Sequence, residues 1–148
     1  MSTQQEEGEE LSELLQRCCA EAGLNFLMLA DEVGVLPFAV GEPSERIDVF
    51  VTERGPGVVF HVRMDSEFSS LDALPGGLLA RLLHRNARSM WGAWAIEESG
   101  DGYVFALVHA VDRETLTGEV FERVVHRLLH EHRRFAETLA ESAEGGVQ

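Results

Sequence analysis

A hairpin set between two helical patterns constrains this chain more than any other stretch. Two apolar runs within Trp91–Ala110 flank Glu98-Ser-Gly-Asp-Gly102, a polar, glycine-rich segment that lets a chain reverse on itself. Leucine-rich helical spacing precedes it from Leu78 to Met90, and a longer amphipathic pattern follows from Thr117 to about Ala140. In the first run Trp91, Ala93 and Ala95 share one strand face, and Gly92, Trp94 and Ile96 share the other. Bulk on both faces implies a strand that is central in its sheet, or one that a second protein covers.

Ahead of that unit the sequence places a helix and three strands. Leu11, Leu14, Leu15, Cys18, Cys19 and Ala22 make a helical stripe, with acidic residues at its start and Gly23 placed to end it. That stripe accounts for the adjacent cysteines as small apolar residues on a buried face. They are expected to be reduced, since neighbouring cysteines bridge only under strain. Phe26–Ala30 is apolar without a clear period. Val35–Val40 reads as a strand that Pro37 confines to a sheet edge or a strand start. Arg46–Thr52 and Val58–Met64 alternate as half-buried strands around the turn Arg54-Gly-Pro-Gly57, and Asp65–Pro75 reads as a loop. Thr117 is the expected N-cap of the last helix. The order α-β-β-β-α-β-β-α predicts an α+β fold, with helices packed on an antiparallel sheet of about five strands. One domain over residues 9–140 is expected, between disordered tails at 1–8 and 141–148.

Charge and motif content then limit the chemistry. A hydrophobic fraction of 45% supports a packed core, and the net charge of −14 argues against a nucleic-acid track or an anionic membrane surface. No apolar run approaches the roughly 20 residues of a membrane span, and the start lacks the basic and apolar regions of a signal peptide, so a cytoplasmic protein is expected. His126 and His130 stand one helical turn apart, but no HExxH pattern accompanies them, and His132 falls on the apolar stripe, so a solvated helix face is expected rather than a metal site. Arg81, Arg85 and Arg88 align on one face of the second helix, either as an anion-recognition row or as ordinary solvated surface. Glu97, Glu98 and Asp101 belong to a turn. The Gly55–Gly57 and Gly76-Gly77 segments lack the lysine of a phosphate loop, and no Gly-x-Ser-x-Gly occurs. A non-enzymatic protein without cofactor or metal is expected.

From Leu78 to Phe135 the sequence carries a specific pattern of elements. A helix ending Leu82-Leu-His-Arg-Asn-Ala87 leads into an apolar strand and a Glu/Asp/Gly turn. A strand ending Leu107-Val-His-Ala-Val-Asp112 follows, then Leu116-Thr-Gly-Glu before the long final helix. With the acidity and size, this order over about Glu10–Leu139 resembles the type III secretion chaperone-like fold and the YbjN family. The resemblance implies a cytoplasmic bacterial homodimer that holds an extended segment of a client protein, without ATP. It makes Leu78, Leu82, Trp91, Trp94 and Ile96 dimer-interface candidates, and outward apolar residues of the first half of the sheet, Leu36, Phe38, Val40 and Phe50, partner-binding candidates. The alternative is a dimeric scaffold or regulatory module of the roadblock/longin kind, which would place two strands, not three, before the second helix.

Overall fold

The computed structural model describes residues 8–39 and 46–145. Helix α1 (Leu11–Ala22) forms on the expected stripe and buries Leu11, Leu14, Leu15, Cys18 and Cys19. It ends where Gly23 takes φ 71° and its N–H closes on the Cys19 carbonyl, a conformation that glycine adopts without a Cβ penalty. Burial raises both thiol pKa values, that of Cys19 to about 12, so the pair stays protonated and inert.

Six strands follow, all paired antiparallel in the order β1-β2-β3-β4-β6-β5. Strands β2 (Val33–Ala39), β3 (Arg46–Arg54) and β4 (Gly57–Phe68) are the expected meander, although β4 runs into the segment read as a loop. The sixth strand is β1 (Leu27–Ala30), returning into β2 through Asp31-Glu32. Its four apolar residues carry no alternation, and its register shifts between Met28 and Ala30, which is why no period betrayed it.

Helix α2 (Leu78–Arg88) leads to the hairpin of β5 (Ala93–Ser99) and β6 (Gly102–Asp112). Helix α3 (Gly118–Gly145) starts where Thr117 Oγ1 accepts the Val120 N–H at 3.2 Å, the expected cap, and continues past Ala140. All three helices lie on one face of the sheet. Phe121 of α3 meets Phe60 of β4 edge-on at 5.2 Å, and Phe135 of α3 lies 4.1 Å from Trp94 and 5.2 Å from Phe105. Leu36, Val49, Val51, Val62 and Leu107 complete this core from the sheet side, each essentially inaccessible.

The hairpin departs from expectation in two ways. β5 is an edge strand, not a central one. Trp91 also stands outside the strand, because Gly92 turns the chain at φ 85°. A Cβ on Gly92 would press on Leu107, Leu128 and the Val108 carbonyl, so the turn needs glycine for its space as well as its sign of φ. Strand alternation therefore stops at Ala93. Bulk lies on one face of β5, Trp94 and Ile96 toward the helices, while Ala93, Ala95 and Glu97 occupy the other.

Candidate functional site

With the helices gathered on one side, the other face of the sheet is left without a helix among the described residues. Register aligns one residue from every strand across it: Leu27, Val35, Phe50, His61, Val108 and Ala93 pair successively. Five of the six are apolar. Val59 and Ala110 flank the row from one side, and Ala106 and Ala95 from the other. Leu27 is 59% exposed and Phe50 half-buried, its ring edge-on to His61 at 6.2 Å. Toward β5 this face carries one charged bridge: His61 Nε2 lies 2.5 Å from Glu97 Oε1, and Arg63 Nε lies 3.4 Å from Glu97 Oε2. These groups sit on next-but-one strands, about 10 Å apart by strand spacing, and they meet only because Ala106 between them is small. Ala106 itself is fully buried.

A second apolar surface lies where α2 meets the β5 edge. Leu79, Leu82, Leu83, Trp94, Ile96 and Phe105 line a groove of about 330 Å³ whose only polar liner is Asn86. Asn86 acts here as a substitute strand: its Nδ2 donates to the Trp94 carbonyl at 2.9 Å and its Oδ1 accepts the Trp94 N–H at 2.7 Å. That satisfies the edge at one residue and ties α2 to the sheet. Leu83 is 69% exposed and Ile96 36% exposed at the groove mouth, and Met90 beyond the helix is 86% exposed. So much apolar side chain left open near a strand edge is the kind of surface that a protein partner covers.

The residues singled out from sequence divide accordingly. Leu82, Trp94 and Ile96 come together in the groove, with Leu82 and Trp94 as its buried wall and Ile96 at its mouth. Leu78 is buried between α2 and α3. Trp91 lies elsewhere, half-buried, 5.7 Å from the His109 ring and beneath the Arg127 guanidinium. Phe50 lies on the helix-free face. Leu36 and Phe38 do not: Leu36 pairs with Val49 and Phe38 with Ile47 on the helix-covered face, where Leu36 is fully buried and Phe38 packs against the core. That corrects their placement as outward residues. Val40 lies outside the described residues. The apolar positions that sequence reasoning missed are Leu27, Val35, Val59 and Val108. Alternation showed which residues share a face in each strand, but only cross-strand register joins them into one surface.

The three histidines of α3 do not converge. His126 is exposed beside Glu122 at 3.6 Å, His130 is exposed, and His132 is buried at 8% exposure. Burial lowers the pKa of His132, against opposing contributions from Asp65 and the Arg63 backbone, and burial also lowers that of His109. At His109 the geometry adds a reason: Nδ1 accepts the Gly92 N–H at 3.1 Å, which a protonated ring cannot do. Above the ordinary value of 6.5 both rings are neutral in either state and add no pH dependence. Below it the unfolded chain takes up protons that the folded chain refuses. The melting temperature is therefore expected to fall as pH drops through about 6.5, before the carboxylates titrate near 4. Thermal melts of wild type and His132→Leu read this directly, and the variant should show a shallower slope. An equal slope in both would remove His132 from the account.

Comparison with known proteins adds two findings. Residues 11–141 match the model of the YbjN family, described as "Putative bacterial sensory transduction regulator". A chain from the structure of the HopA1–SchA chaperone–effector complex superposes with a TM-score of 0.61 at 13% identity, covering 85% of this chain and 92% of that one. No curated protein matches the chain.

Proposed function

The chain belongs to the YbjN family, and from that premise we propose that it is a chaperone-like, non-enzymatic protein-binding module that holds an extended segment of a partner protein. One observation carries the reading: a sheet with all its helices on one side leaves a mainly apolar row across the other, in which Val35 is buried while Leu27, Phe50, Val108 and Ala93 keep accessible surface. Such a face offers side-chain contact to a segment that has not folded, and the β1 edge offers backbone pairing. The fold shared with a chain of a chaperone–effector complex supports this. The net charge of −14 suits the role by keeping an apolar surface soluble.

In this reading the α2–β5 groove is the homodimer interface, since Leu83 and Ile96 leave apolar area there for an identical surface to cover. The helix-free face stays open for the client. The protein works in the cytoplasm, without cofactor, metal or nucleotide. Aggregation of a chemically denatured model enzyme tests the client site. Wild-type protein should suppress light scattering at near-stoichiometric ratios, and Phe50→Asp should lose most of that effect while keeping its circular dichroism spectrum. Equal suppression by both proteins would move the client away from Phe50.

A further inference from the structure

One cleft is unlike the rest of this acidic molecule. Between α2 and the later turns of α3 lies a space of about 730 Å³, with Leu78, Leu82 and Phe135 at its base. Its rim carries Arg81, Arg85 and Arg88 from α2 and Arg134 from α3, together with His84. The three α2 arginines stand at i, i+4 and i+7, so they rise along one face over about 10 Å. A chain of net charge −14 thus gathers four of its 12 basic residues around one cleft, against one lining carboxylate, Glu131.

That carboxylate does not neutralise the cleft. Glu131 is paired with Arg85, which that contact holds in place, and lies 4.0 Å from the exposed Arg134. Arg81 and Arg88 have no carboxylate partner within ion-pair distance among the described residues. Arg88 has only His84, with Nη1 at 3.5 Å from its Nε2. Two exposed guanidinium groups without counter-charge among the described residues, beside the paired Arg85 and over an apolar base, make a receptor for carboxylates.

We infer that the α2–α3 cleft receives an acidic segment of the partner protein, in which Asp or Glu alternates with apolar residues. Carboxylates of that segment meet Arg81 and Arg88, and its apolar side chains rest on Leu82 and Phe135. The inference rests on the protein-binding reading above and names the chemistry of part of the partner. A peptide fits better than a nucleic acid. The cleft is short, the surrounding surface repels phosphate chains, and no Trp, Tyr or exposed Phe lines it for a run of bases to stack on.

The test uses the full chain and two fluorescent peptides, one alternating Glu and Leu and the other Lys and Leu, read by anisotropy. The Glu/Leu peptide should bind and weaken with added salt, and the Lys/Leu peptide should not bind. Arg81→Ala with Arg88→Ala should weaken binding on the order of tenfold or more, given the strength of charged hydrogen bonds. Arg81→Glu with Arg88→Glu should reverse the preference to the Lys/Leu peptide. Arg123→Ala, on an exposed part of α3 outside the cleft, should change nothing. An unchanged affinity in the double alanine variant overturns the inference, as does equal or tighter binding of a single-stranded oligonucleotide. Suppression of aggregation is measured on the same proteins. If the peptide fails to bind while suppression persists, the cleft assignment falls and the helix-free face stands. Loss of both in wild type removes the protein-binding reading itself.

Discussion

Trp94→Asp is expected to unfold this domain. The Trp94 ring is 7% exposed, lies 4.1 Å from Phe135 at the centroids, and borders Leu82 and Phe105 across the helix-covered face. Removing a large aromatic from such a site costs about 3–5 kcal/mol through lost transfer and the cavity left behind. A carboxylate in the same place adds several kcal/mol of desolvation, since no cation lies among the groove liners to pair with it. Domains of this kind are stable by about 5–15 kcal/mol in all, so the sum removes most or all of the folded population. Trp94→Phe keeps the ring contact with Phe135. It loses no hydrogen bond, because the indole N–H has no partner among the described residues, so it should stay folded. Near- and far-ultraviolet circular dichroism distinguishes the two variants. A Trp94→Asp protein that stays folded and merely becomes monomeric would mean that the indole faces a partner chain.

Leu83→Asp combined with Ile96→Asp should do the reverse, leaving the fold intact and abolishing self-association. Leu83 is 69% exposed and Ile96 36% exposed, so their replacement touches little of the core. Exposed substitutions of this kind shift stability by about 0.5 kcal/mol or less at sites like Leu83, and somewhat more at Ile96. In a two-fold interface each change acts twice, setting like charges against one another where apolar groups met. Light scattering on a sizing column should give twice the chain mass for wild type and the chain mass for the variant. Wild-type protein that elutes as a monomer contradicts the dimer directly, and a variant that remains dimeric moves the interface away from α2 and β5. Trp94 and Leu83 thus divide one groove into a buried wall that holds the fold and an exposed mouth.

That division marks where sequence reasoning reached its limit. The stripes of α1 and α3 were legible because a helix packed on a sheet needs its apolar residues at regular spacing, and the Leu11–Cys19 and Phe121–Phe135 series supply it. The β3–β4 hairpin was legible from alternation on both sides of Arg54-Gly-Pro-Gly57. β1 was not, since four apolar residues have too little length to show a period. For Phe50 the alternation was read correctly within its strand, and Leu36 and Phe38 carried no such reading, but which face the helices cover depends on register. β2 meets β3 with Leu36 opposite Val49, and that pairing sends Leu36 inward and Phe50 outward. Trp91 and Trp94 looked like opposite faces of one strand because nothing in the letters shows that Gly92 takes φ 85° and starts the strand a residue later. The arginine row of α2 was visible as spacing. Its significance depends on Arg134 and Glu131, which α3 brings from some fifty residues further along the chain.

The central claim is that the helix-free face holds an unfolded partner, and site-specific photo-cross-linking tests it most directly. A photoreactive phenylalanine analogue is placed at position 50, on that face, and in a second protein at position 123, exposed on α3 away from the α2–α3 cleft. Each is irradiated with a permanently unfolded model protein. Covalent adducts from position 50 and none above background from position 123 are the predicted result. Adducts from position 123 alone, or none from position 50, would contradict the account.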